Sequence, residues 1–136
     1  INLTSSNPAD WPKAAHSCRR LLKMMADVLF PPQDKIYKMK DDDELVVDDL
    51  RYLNRLYAFL DKYLSVEKSK SISVELKYLA DYLRQINDEA NAGEHSTPTK
   101  LEVQLIAVHT YLIISELLKI QIFTKESKKQ EMKTEV

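Results

Sequence analysis

A chain of 136 residues with a formal net charge of -1 fits one domain with room for a real core, and carries no overall field toward nucleic acid or anionic lipid. Its 44% hydrophobic and 30% charged residues exclude a disordered or membrane-embedded class on composition. One glycine and one cysteine argue against glycine-turned hairpins and a disulfide framework, and so for an all-helical domain in the cytoplasm.

Taken in order, the chain opens on a short polar stretch, residues 1–6, expected to be disordered. It begins with Ile1 rather than Met, which suggests a piece of a longer protein. Asn7-Pro8 reads as a helix cap followed by a first-turn proline. Trp11, Ala15, Cys18, Leu22, Met25 and Leu29 then recur at helical spacing and form one apolar face. Pro31-Pro32 ends that helix at Phe30. Residues 33–43 read as a loop. Asp41-Asp42-Asp43-Glu44 is expected to start the second helix, its acids complementing the positive helix end rather than caging a metal.

That second helix takes Val46, Leu50, Leu53, Tyr57, Leu60 and Leu64 as its inward face, leaving Asp48, Arg51, Arg55 and Asp61 on its other faces. Residues 65–71 read as a charged linker, with Ser71 or Ser73 capping the third helix. Ile72, Leu76, Leu79, Leu83, Ile86 and Ala90 form its core stripe. Gly93 to Pro98 breaks the chain, with Gly93 suited to a helix end and Thr97-Pro98 to a new helix start. Leu101 to Phe123 is apolar around most of its circumference, which marks a helix surrounded by others. Residues 124–136 form a charged C-terminal tail, either a frayed helix extension or disordered. The simplest packing of residues 7–123 is an up-down four-helix bundle.

Chemistry has few footholds. His16, His95 and His109 show no zinc or di-metal spacing, and a single glycine cannot build a phosphate loop, so no metal and no cofactor is expected. Cys18 on the apolar face reads as packed core. His16 reads as decoration of a polar face, and His109 as a hydrogen-bonded or partly exposed histidine. Arg84, Asn87 and Asn91 share one stripe of the third helix, and His95 follows just past the glycine. A guanidinium could hold a phosphate, two carboxamides could orient it, and an imidazole could move protons. The same residues could equally serve to terminate the helix, with Asn91 near its end and His95 bonding its free carbonyls.

At these residues the chain resembles the HEPN superfamily, helical bundles found in toxin, abortive-infection and antiviral proteins. Many members are metal-independent ribonucleases with an Arg-polar-His motif ahead of a final apolar helix, a layout matched here by Arg84, Asn87, Asn91, His95 and the run after residue 100. Arg84 and His95 stand further apart than that motif places its Arg and His. The resemblance implies His95 as general acid or base and Arg84 as a stabiliser of charge on the phosphoryl oxygens. It also implies a homodimer. Basic residues are scattered rather than concentrated, however, which favours a noncatalytic module that dimerises or docks other domains of its parent protein. A ribonuclease acting on single-stranded RNA is the alternative. No membrane partner is expected, because the best candidate span is interrupted by His109, Glu116 and Lys119.

Overall fold

A computed structural model describes the backbone of residues 10–91 and 99–134 and the side chains of 10–85 and 99–133. Among the described residues are four helices: α1 (Asp10–Leu29), α2 (Tyr52–Tyr63), α3 (Val66–Asn91) and α4 (Lys100–Thr134). Two short strands, β1 (Tyr37–Lys38) and β2 (Glu44–Leu45), form an antiparallel hairpin between α1 and α2. The class is all-α. α1 packs against all three other helices, most extensively α4, and further contacts join α2 to α3 and α3 to α4.

The apolar face read for α1 is the face it buries. Ala15, Cys18 and Leu22 are buried, while Met25 and Leu29 pack on the core from its edge. Leu56, Phe59 and Leu60 of α2, Leu76, Leu79 and Leu83 of α3, and Ile106, Ile113 and Leu117 of α4 complete one continuous core. α1 stops at Leu29 as the proline pair requires, with Phe30 N–H closing the last turn on the Ala26 carbonyl at 2.8 Å. The expected disordered segment 1–6 and the Asn7-Pro8 cap lie outside the described residues.

The segment after α1 departs from expectation. Asp41 to Glu44 does not start a helix; it turns the hairpin. The Asp41 carboxylate accepts the Asp43 N–H at 3.1 Å, and Asp42 takes a positive φ of 72°. Asp tolerates that left-handed conformation better than most residues, so a turn without glycine is possible here. β1 and β2 pair Tyr37 with Leu45 and Lys38 with Glu44. α2 therefore begins only at Tyr52, and Leu50, expected inside, stands exposed while Val47 takes its place in the core.

The expected linker 65–71 is also helix. Leu64 and Ser65 alone separate α2 from α3, and the Ser65 hydroxyl accepts the Lys68 N–H at 3.3 Å, making Ser65 the cap instead of Ser71 or Ser73. The Gly93–Pro98 break lies outside the described residues. α4 is capped by Thr99: its hydroxyl accepts the Glu102 N–H at 3.2 Å, the Thr-x-x-Glu arrangement of a capping box, while the expected Thr97-Pro98 start lies outside the described residues. α4 then continues through the charged stretch beyond Phe123 to Thr134.

Two charged residues read as surface decoration are buried in α2. Arg55 is 0% exposed and places Nη1 2.9 Å from Asp27 Oδ1 and 3.3 Å from the Phe30 carbonyl, so it binds the C-terminal end of α1. Among the described residues, its Nε and Nη2 find no hydrogen-bond partner. Asp61 accepts the Tyr37 hydroxyl at 2.9 Å and lies 3.3 Å from Lys40 N–H, while Lys40 Nζ donates to the Leu64 carbonyl at 2.7 Å. Burial without a partner would cost each group several kcal/mol (roughly) in desolvation, so both were recruited as ties between the hairpin segment and the helices.

Candidate functional site

Of the polar stripe read on α3, Arg84 is the residue whose side chain is described. Arg84 is exposed, and its Nη2 lies 3.6 Å from Asp81 Oδ1 one turn earlier. Asp81 also takes Lys77 Nζ at 3.4 Å, so the guanidinium belongs to a surface ladder along one helix. Tyr82 faces α4, its hydroxyl 3.2 Å from Glu102 Oε2. Arg84 comes two positions later, roughly 200° further round the helix, and so projects away from that interface. Asn87 and Asn91 belong to the backbone of α3, with side chains beyond those described. His95 lies outside the described residues. No group of three His, Cys, Asp or Glu side chains that could hold a metal occurs among the described residues.

His16 is exposed on α1, as read. Cys18 is buried, and burial pushes its thiol up from the ordinary value, against the opposing effect of a hydrogen bond with Thr110. A raised thiol keeps its proton at neutral pH, which makes Cys18 inert core rather than nucleophile. Thr110, itself buried, donates to the Ile106 carbonyl at 2.8 Å. This bond satisfies the buried hydroxyl.

Two grooves border α4. One, of about 260 Å³, runs between α3 and α4 and is lined by Tyr78, Tyr82, Glu102, Leu105, Ile106 and His109. The other, of about 680 Å³, lies where the α2–α3 elbow meets α4, with Tyr63, Ile72, Ile120 and Phe123 supplying apolar walls and Lys68, Lys119 and Glu116 charges of both signs. Arg84 lines neither. His109 sits half-buried in the first, beside the Tyr82–Glu102 pair.

The feature that sequence reasoning missed is the outer side of α4. The helix is not surrounded. Val103, Ile106, Ala107, Thr110, Ile113 and Leu117 face the bundle, but Leu101, Leu105, Val108 and Leu112 keep 64%, 60%, 53% and 59% of their surface exposed. An 18-residue window of α4 has a mean hydropathy of 1.5, long and apolar enough to cross a membrane by length and composition, yet only 28% of it is buried inside the domain. The signal was present in the sequence as a second apolar stripe at spacings of four, three and four, on the side opposite the core stripe. Read together, the two stripes looked like a helix enclosed on every side.

Among the described residues, fold and surface thus define the class: an all-α domain with a buried core, a surface ladder that holds Arg84 on α3, and an exposed apolar face along α4. Comparison with family models, with curated proteins and with solved structures finds no match to this chain.

Proposed function

We propose that this chain is a noncatalytic helical interaction module, HEPN-like in its bundle, that serves dimerisation or domain docking within a larger prokaryotic defence or toxin-type protein of the cytoplasm. The observation that supports this reading is the exposed apolar side of α4. Contiguous apolar surface of that extent on a helix marks a binding face, since water contact with it is unfavourable and a partner would remove it. An up-down course for the four helices fits the short α2–α3 elbow and the neighbour packing of α2 with α3 and α3 with α4. The HEPN likeness rests on the layout of Arg84, Asn87, Asn91 and His95 ahead of the final apolar helix.

The alternative, a metal-independent ribonuclease using Arg84 and His95, draws no support from Arg84, which is engaged with Asp81 and lines neither groove. One experiment separates the two. Purified protein is incubated with single-stranded RNA in chelator while its mass is followed by light scattering. The module reading expects intact RNA and a concentration-dependent rise in mass. Cleavage that disappears in His95→Ala would reverse the assignment.

A further inference from the structure

The exposed stripe on α4 has the geometry of a helix-pairing seam. Leu101, Leu105, Val108 and Leu112 follow one another at four, three and four residues, the spacing at which an apolar line stays on one side of a helix and takes up knobs from a second helix. Tyr111 is exposed alongside, and Tyr78 stands exposed across the α3–α4 groove from Leu105. Together these six side chains leave an apolar surface on the order of several hundred Å² per protomer, the size at which an exposed patch marks an interaction site.

The borders of the seam decide between a protein and a lipid partner. A helix that lies in lipid headgroups carries Lys and Arg beside its apolar face. Here one border is Glu102, His109 and Glu116 and the other is Gln104 and Tyr111. Two carboxylates on one side would be repelled by an anionic leaflet. The border residues are instead the mixed polar rim usual around the apolar centre of a protein interface.

Charge also sets the direction. Continued past Leu112, the seam reads Ser115, Lys119, Ile122 and Glu126. A parallel, in-register pair would stack Lys119 on Lys119 and Glu126 on Glu126, each a like-charge contact. An antiparallel pair centred between Leu105 and Val108 avoids both and matches apolar residues only.

We infer that α4 pairs antiparallel with α4 of a second copy of this chain, Leu101 against Leu112 of the partner subunit and Leu105 against Val108 of the partner subunit. The inference rests on the interaction-module reading and names its partner. A two-fold axis makes the contact self-complementary, so it closes at a dimer instead of propagating.

The test compares the full chain with Leu105→Glu/Leu112→Glu and the milder Leu105→Gln/Leu112→Gln by sedimentation equilibrium, with helicity and melting followed by circular dichroism. Both altered positions face solvent in the monomer, so the fold should persist. The wild type is expected to dimerise, and the Glu pair to raise the dissociation constant at least 100-fold (roughly 2.7 kcal/mol) with helicity unchanged. The Gln pair should fall between. A wild-type dimer that survives both variants would overturn the α4 seam yet leave the module reading standing. A monomer that sediments with phosphatidylcholine or phosphatidylserine vesicles would make the surface a lipid contact, again overturning only the seam. A strict monomer that binds neither vesicle would remove both. For direction, oxidised mixtures of Leu101→Cys and Leu112→Cys chains should crosslink to each other; Leu101→Cys chains joined among themselves would refute the antiparallel arrangement.

Discussion

The Tyr37 hydroxyl donates to Asp61 Oδ2 at 2.9 Å, joining the first strand of the hairpin to the last turn of α2 across 24 residues of chain. Burial, then the hydrogen bond to Asp61 and its charge, push the Tyr37 phenol up from 10.0 to about 12. The native state therefore holds this proton more tightly than the unfolded chain. The contribution is intact below pH 10 and is lost as pH rises from there through about 12. Tyr57, pushed up to about 12 chiefly by burial, adds to the same slope. Urea midpoints measured from pH 8 to 12 should fall across that window. Tyr37→Phe should start lower, by about 1.5–3 kcal/mol for a lost bond to a carboxylate, and the gap to wild type should close toward pH 12. A gap independent of pH would show that the phenol proton plays no part.

Arg55 yields a prediction with two arms. Arg55→Ala removes a large buried side chain, leaves the Phe30 carbonyl without its donor and opens a cavity. A loss of about 2–4 kcal/mol is expected from such a change. Arg55→Met keeps most of the volume and removes the two guanidinium nitrogens that find no partner among the described residues. Replacing a buried ion by an apolar side chain of similar size is often neutral, so the Met variant should be at least about 1 kcal/mol more stable than the Ala variant. Denaturant unfolding measures both. Equal losses would mean that the charge, rather than the filled space, is what matters at this position.

Thr99 and Glu102 make the capping box of α4. Thr99→Ala should cost about 1 kcal/mol, and Thr99→Ser or Thr99→Asp much less, because each supplies an oxygen to the same N–H. Thermal melts of the three variants read the order directly. A Thr99→Ala protein as stable as wild type would place the working cap elsewhere.

The hairpin turn depends on Asp42 at φ 72°. Asp42→Val forces a β-branched side chain into the left-handed region and should destabilise by about 1–2 kcal/mol. Asp42→Gly should be tolerated within about 0.5 kcal/mol, since glycine enters that region freely and gives back some of the gain as chain entropy. The ion pair of Asp42 with Lys38 at 3.6 Å is largely exposed to water and should matter little.

How much of this was legible beforehand differs from element to element. α1 could be read residue by residue, because a single apolar stripe ended by two prolines has only one reasonable interpretation. The hairpin could not. Four consecutive acids suit both a helix start and a turn, and only the tertiary ties of Tyr37 and Lys40 to Asp61 favour the turn. Arg55 and Asp61 fell at positions that periodicity assigns to solvent; their burial depends on partners 28 and 24 residues earlier, Asp27 and Tyr37, which no local pattern reveals. For α4 the composition was informative but ambiguous, since apolar residues on all sides fit either a helix enclosed by its own chain or one enclosed partly by another. Of the candidate polar stripe, Arg84 lies on α3 and pairs with Asp81, three residues before it, a spacing that the sequence alone allows but does not single out.

The guanidinium sealed beneath the end of α1 has an effect on which way the domain can assemble. Were α2 to slide one turn along α1, about 5.4 Å, that cation would sit among leucines with neither carboxylate nor carbonyl in reach, a far greater penalty than the true arrangement carries. A greasy side chain there would tolerate either setting. Arg55 thereby acts as an index pin between two helices, choosing one alignment out of several that the oily faces alone would accept.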